Sequence, residues 1–423
     1  MRWFAHILLA VGLSAAGFAM AETVEVPAGG GALAQAIETA EAGDTLRLGP
    51  GRHLGGLEIS KALNIRCHHE AEIDGSGEGS VLTVTAEAVE IRDCVIRGSG
   101  DDHEDIDSGI RLLKGANEAR VIGNHLTGNL YGVDIHGANG AYVAGNLIEG
   151  RQGHRMNDRG NGVYVWNAPG AKVIGNDIRW GRDGIFVNTS HSNTFSGNRF
   201  RDLRFAVHYM YANISEVSGN VSIGNHLGYA VMYSKRVKVR DNISINDAEH
   251  GVMLNYANSS EVTGNLVVNG GEKCLFIYNA HKNEITGNRF EGCPIGVHFT
   301  AGSERNDFYG NAFLGNRTQV KYVGSKWLDW SHEGTGNYWS DFAAYDLNGD
   351  GRADVPYRPN DSMDHVLWTQ PAAKLLLGSP AVQLVKWAQS AFPALLPGGV
   401  VDTAPLMKPV DIQPPDWERH HEG

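Results

Sequence analysis

Several kinds of residue are scarce in this chain, and each scarcity excludes a class of function. Only four of the 423 residues are cysteine (Cys67, Cys94, Cys274, Cys293). They are too few and too scattered for a zinc cluster; in an oxidising compartment they allow one or two disulfides, and buried inert thiols fit equally well. No G-x-x-x-x-G-K-[ST] run occurs, so the chain carries no phosphate-cradling loop of its own. Cations are outnumbered, 36 Lys and Arg against 48 Asp and Glu for a net charge of −12, which argues against a nucleic-acid partner. After the first twenty residues there is no second apolar run of about 20 residues, so no later segment is suited to span a bilayer.

The first segment reads differently. Arg2 precedes an apolar run that ends in Ala19-Met20-Ala21, the small–x–small pattern of a signal-peptidase site. Residues 1–21 are therefore expected to be an export signal, and the absence of a following cysteine argues against a lipid anchor. The mature chain is expected to be an exported, soluble protein.

What the chain has in abundance is a repeat. Gly-Asn pairs recur with Asn at 124, 146, 176, 198, 220, 265, 288 and 311, and Asp241-Asn242 fills the one vacancy. The steps are 22 to 23 residues, save one of 30. Most of these Asn residues lie 14 residues after the glycine of a second signature, as in "YGVDIH", "NGVYVW", "DGIFVN" and "HGVMLN". Short alternating runs separated by Gly/Asn corners, with no helical periodicity, specify a β-solenoid. Asn and Gly accept the left-handed backbone of tight corners, and Asn can stack on itself between rungs. The expected fold is all-β: a right-handed parallel β-helix over 22–325 with coils of about 22–23 residues, opened by a short N-terminal helical cap within "GALAQAIETAEAGDTLRLGPGRH".

Alternation places Val133 and Ile135 inward, so Asp134 and His136 face out. Carried along the repeat, this gives an outward column Asp134, Tyr164, Phe186, His208, Met232, Met253, Phe276, His298, and beside it His136, Trp166, Asn188, Met210, Ser234, Asn255, Tyr278, Thr300. His208, Met210, Met232 and Met253 are thereby expected within reach of one another. Imidazole and thioether together favour Cu(I), so these four form a candidate transient copper site. The plainer alternative is that Met and aromatics pad a surface covered by a loop or partner. The 30-residue step contains an insertion, "RQGHRMNDRGN", whose His154 and Met156 are added to the candidate ligands; an acidic insertion around His103 lies two coils earlier. Insertions stacked on one edge of a solenoid usually build its working face. "YGVDIH" also resembles the Tyr-Gly-Phe-Asp-Pro-His signature of mannuronan epimerases, with Ile135 in place of the Pro, which makes a polysaccharide-binding or polysaccharide-modifying protein the alternative function.

Composition changes beyond the ladder, into an aromatic, Asp-rich region over 326–375 and a C-terminal helix with a Pro-rich tail over 376–423. Asp346, Asn348, Asp350 and Asp354 fall at positions 1, 3, 5 and 9 of an EF-hand-type loop, but Tyr357 stands where the bidentate Glu belongs. A structural Ca²⁺ and a metal-free turn both fit. "SPAVQLVKWAQSAF" reads as a helix with Ser379 as its N-cap. The apolar tail that follows calls for a covering surface, either a partner or the open end of the ladder.

The whole chain resembles the NosD family of periplasmic proteins that assist maturation of nitrous oxide reductase. "GNYWSDF…DLNGDGRADVPY" carries the likeness, and "SPAVQLVKWAQSAFPALLPGGVVDTAPLMKP" carries it most specifically. The resemblance implies a non-catalytic periplasmic subunit of an ABC-type complex with a separate permease and ATPase. It implies as further partners a copper-donating lipoprotein chaperone and the reductase, whose copper–sulfur centre is assembled. No metal-ligand motif transfers residue by residue. Trp387, Phe392, Leu395, Leu396 and Met407 are the residues expected to dock on the permease and so hold the protein at the inner membrane.

Overall fold

The computed structural model describes residues 21–412 except 301, 325, 361, 377 and 392–397. The expected export signal, up to residue 20, and three of the docking residues (Phe392, Leu395, Leu396) lie outside the described residues.

Each coil contributes three short strands, and each strand pairs in parallel with its counterparts one coil before and one coil after. Three parallel sheets of 13, 12 and 13 strands result, a right-handed parallel β-helix. The alternating β-branched residues turn inward to form one continuous core, with Val133, Ile135, Val163, Val165, Ile185 and Val187 all fully buried. The helix Ala32–Thr39 lays Leu33, Ala36 and Ile37 on the N-terminal end of that core. Its polar outer side closes an end that would otherwise expose apolar rungs. Both disulfides form, Cys67–Cys94 and Cys274–Cys293, and no free cysteine is left among the described residues.

The recurring asparagines are an internal hydrogen-bond ladder. Asn220 shows the pattern: its Nδ2 donates to Asn242 Oδ1 at 2.9 Å and to the Phe195 carbonyl at 2.9 Å. The same side-chain link runs without a break from Asn124 to Asn337. The residue before each rung from Asn124 to Asn311 takes a left-handed backbone, as at Gly219 (φ 62°); Asp241 does so at φ 53° where glycine is absent. At the far end the ladder finishes on a carboxylate. Asp402 Oδ2 accepts the Asn337 backbone N–H at 2.7 Å and the Trp339 indole N–H at 2.8 Å.

Two boundaries differ from the sequence expectation. The third sheet continues through Tyr338–Trp339, so the ladder runs past residue 325. The segment after residue 398 folds back as a cap: Val400–Val401 pairs with Leu328–Asp329, and the Met407 N–H donates to the Gly351 carbonyl at 3.0 Å. Met407 is thus held on the 346–354 loop, next to Leu406, whose N–H donates to the Asn337 carbonyl at 2.9 Å, and does not sit on a free docking tail. A buried carboxylate needs donors, and the last rung supplies them to Asp402.

Candidate functional site

The second sheet presents the face on which the His and Met residues were expected. Register there is set by the small residue that opens each core run. A Cβ at Gly228 would meet the Gly251 carbonyl at 2.4 Å, so that position takes only glycine without a shift. With Gly228 fixed, Tyr229 points inward, 1% exposed, and its hydroxyl donates to the Ile243 carbonyl at 2.9 Å. The two columns then differ from expectation at one coil. The first runs Phe186, His208, Ala230, Met253, Phe276, His298. The second runs Asn188, Met210, Met232, Asn255, Tyr278. Met232 is therefore the lateral neighbour of Met210, and not of Met253. The sequence did contain the correct signal: Gly228 stands 14 residues before Asn242, the spacing seen elsewhere.

The shift leaves an alanine where the column would place a long side chain. Ala230 faces outward yet is fully buried, so side chains around it close over it. Its register partners are His208 and Met253, and Met232 follows two residues on along its own strand. In strand register His208 and Met253 thus flank Ala230, and Met210 and Met232 form a pair two residues further along.

His208 is the most constrained of them. Its Nδ1 lies 3.0 Å from Asp183 Oδ2, while Arg204 grips both oxygens of Asp183 at 2.8 and 2.7 Å. Burial works to raise the Asp183 carboxyl, but the hydrogen bonds from His208 and Arg204 outweigh it and hold the group below the ordinary range. Phe186 and Phe205 flank the imidazole, each with ring centroids 4.8 Å away. Nδ1–H donation to Asp183 leaves Nε2 as the position where a neutral ring carries its lone pair; Nε2 is buried and has no hydrogen-bond partner among the described residues. A carboxylate on one imidazole nitrogen and a free lone pair on the other is the arrangement that supports metal-ligating histidines. Asp183 and Arg204 were not singled out from the sequence. The only hint was a charged residue opening "DGIFVN" at a strand start.

A cleft of about 320 Å³ borders this group, lined among others by His103, Tyr131, Tyr164, Arg182, His208 and Met210. The two insertions meet at its edge, where His103 lies 3.3 Å from both the Tyr131 hydroxyl and the Asp158 carbonyl. His154 is exposed and Met156 half-buried, and neither lines the cleft. The 151–161 insertion therefore reaches the cleft through Asn161, and the earlier acidic insertion reaches it through His103.

Asp134 and His136 sit further down the same face. Asp134 is fully buried beside Arg111, 3.3 Å away, and burial pushes its carboxyl up to about 7 against that cation. His136 stacks on Trp166 at 4.3 Å. The calcium-like loop is an exposed turn: Asp346 accepts backbone N–H groups from Gly349 and Gly351 at 2.7 and 2.8 Å, and Asp354 accepts that of Leu347 at 2.8 Å. Among the described residues the one group of three His, Cys or carboxylate ligand atoms lying within 4.8 Å of one another is His68, His69 and Glu70, so the loop acids are not gathered around a common point. The helix Pro380–Ala391 buries Val382 and leaves Leu384 and Trp387 each 63% exposed.

Comparison with known proteins decides the family. A relative in Pseudomonas aeruginosa, named a probable ABC transporter binding protein NosD, is 41% identical over 380 residues, covering 87% of this chain and 89% of the relative. The chain belongs to the NosD family. A second NosD, from Stutzerimonas stutzeri and named in the same words, is 41% identical over 376 residues, 86% of each chain. The family model described as "Periplasmic copper-binding protein (NosD)" matches residues 144–344, which include His208, Met210, Met232 and Met253. Among solved structures, the A-module of the Azotobacter vinelandii mannuronan C-5 epimerase AlgE6 aligns with TM-score 0.57 at 13% identity, covering 69% of this chain and 89% of that one. At that identity the likeness concerns the fold alone.

Proposed function

We propose that this chain is the non-catalytic periplasmic subunit of an ABC-type complex that helps assemble the copper–sulfur centre of nitrous oxide reductase. In this reading it accepts Cu(I) from a lipoprotein chaperone, holds it on the second-sheet face, and releases it toward the reductase. The single observation that carries the reading is the His208 imidazole. Asp183 holds one nitrogen, and the other is buried and has no hydrogen-bond partner among the described residues, in a register that sets His208 and Met253 on either side of Ala230 and Met210 beside Met232. Copper is cargo here. The Nε2 lone pair and the thioethers are soft-to-borderline donors suited to Cu(I), and few exchangeable ligands favour passage over permanent retention.

The exposed Trp387 side of the C-terminal helix is the surface we assign to the permease. The buried state of Asp134, with no exposed surface, speaks against its serving as an acid or base on a polysaccharide. The test is to delete the gene and isolate the exported reductase. Reductase that is present but lacks its catalytic copper–sulfur cluster supports the proposal; a fully assembled cluster removes it. Extraction of the tagged protein from membranes without permease or ATPase removes the complex.

A further inference from the structure

One corner of the coil is held in the left-handed backbone throughout the middle of the ladder. Its occupants in successive coils are Gly137, Asn167, Thr189, Tyr211, Tyr233, Tyr256 and Asn279. Gly and Asn accept such a backbone readily, whereas a bulky residue there is disfavoured. Three consecutive coils nevertheless place tyrosine at that corner, with φ of 51°, 49° and 51°. Nothing in the core explains them, because their rings project outward. Tyr211 and Tyr233 stack with centroids 5.2 Å apart, Tyr233 and Tyr256 at 5.1 Å, and Tyr278 closes the row edge-on at 5.8 Å. All four are 41% to 52% exposed. Because they stack on one another, the rings offer solvent their edges and hydroxyls and not their faces. That surface suits a protein partner better than a sugar ring, which stacks on an aromatic face.

A second left-handed corner lies three residues further along each coil. It holds Gly140 and Gly170 early in the ladder, then Ser192, Ile214, Arg236, Ser259, Lys282 and Arg305. Lys235 adjoins Arg236, all four cations are exposed, and among the described residues none lies within 4 Å of a carboxylate oxygen. On a chain of net charge −12 these four cations line one edge, with Glu304, which pairs with Lys326, as the carboxylate beside them. Tyr211 directly follows Met210 and Tyr233 directly follows Met232, so the tyrosine row borders the methionine pair.

We propose that the tyrosine row and the cations beside it form a docking surface for an acidic protein that exchanges copper with the neighbouring methionines. This inference rests on the copper reading above. Residual backbone strain kept at three adjacent exposed positions is the mark of a surface held for contact. Exposed tyrosines framed by cations match a partner with a carboxylate-rich face.

The test titrates the full-length mature protein with the soluble domain of its proposed copper donor, at low and high salt. The variants are Tyr211→Asn/Tyr233→Asn/Tyr256→Asn, which gives the corner a residue it holds at 167 and 279, and Arg236→Glu/Lys282→Glu. Association is expected to weaken at least tenfold in each variant and with salt in the wild type, while Cu(I) affinity in a chelator competition stays unchanged. Wild-type protein that does not associate with the donor overturns the proposal, as do variants that associate normally. Equal or stronger binding of polymannuronate, lost in the same variants, identifies a polysaccharide surface and also overturns it. Docking that survives while Cu(I) affinity is absent from the wild type sinks the copper reading and leaves the surface standing.

Discussion

Removing one rung of the asparagine ladder should cost far more than its one small side chain suggests. Take Asn220→Ala, in the middle of the run. The Asn220 side chain accepts the Asn198 backbone N–H at 2.9 Å and the Asn198 side-chain amide at 3.0 Å. It donates to the Phe195 carbonyl and to Asn242 Oδ1, both at 2.9 Å. Alanine makes none of these bonds. Three groups are left short of a partner at a fully buried position: the Asn198 N–H, one Asn198 amide hydrogen and the Phe195 carbonyl. A buried polar group left unsatisfied costs about 1–3 kcal/mol, so three of them, after local relaxation, give about 4 kcal/mol. Urea unfolding followed by far-ultraviolet circular dichroism measures the loss. Asn139→Ala is the control: its side chain is exposed at a corner, and the expected change is within about 0.5 kcal/mol. If Asn220→Ala loses less than about 1 kcal/mol, the ladder is not what locks coil to coil, and the register that sets His208 beside Ala230 has another cause.

Three further outcomes are expected. Asp183→Asn removes the charge that orients His208, and Cu(I) affinity in a chelator competition should fall about 10–100-fold with the fold intact; unchanged affinity would mean that the ion pair with Arg204 is purely structural. Asp402 is buried, and its carboxyl is pushed up from 3.8 to about 6. The folded state therefore binds a proton more readily than the unfolded chain, so this group's contribution to stability declines by about 3 kcal/mol as pH rises from about 4 to about 6, then levels off. The wild-type minus Asp402→Asn difference in unfolding free energy should show that slope, and a flat difference refutes it. Reducing Cys274–Cys293, which closes a sequence separation of 19, should lower stability by about 3 kcal/mol in the chain-entropy account, read as a drop in thermal midpoint on adding reductant.

The fold was legible because its physics is local and repeated. Gly-Asn at a fixed interval reports a left-handed corner followed by a stacking side chain, and every rung repeats the signal. The end of the ladder was less legible, since the acceptor for Asn337 is Asp402, 65 residues on, and no periodicity points to it. The site was legible in composition but not in register. One coil was misaligned because Tyr229 faces inward, where most coils place a smaller apolar residue, while Gly228 carried the true alignment. Asp183 and Arg204 were missed for a related reason. Their meaning lies in a contact with His208 on a neighbouring coil, which single-strand alternation does not describe. His154 and Met156 show the converse: an insertion can reach a cleft through a different residue, here Asn161.

The most direct measurement loads the purified protein with Cu(I) anaerobically and records X-ray absorption alongside chelator competition, for wild type and His208→Ala. Sulfur and nitrogen around one copper ion in the wild type, with affinity at least tenfold weaker in the variant, is the predicted result. Equal affinities, or copper surrounded by oxygen alone, would show that the cargo does not rest on this face.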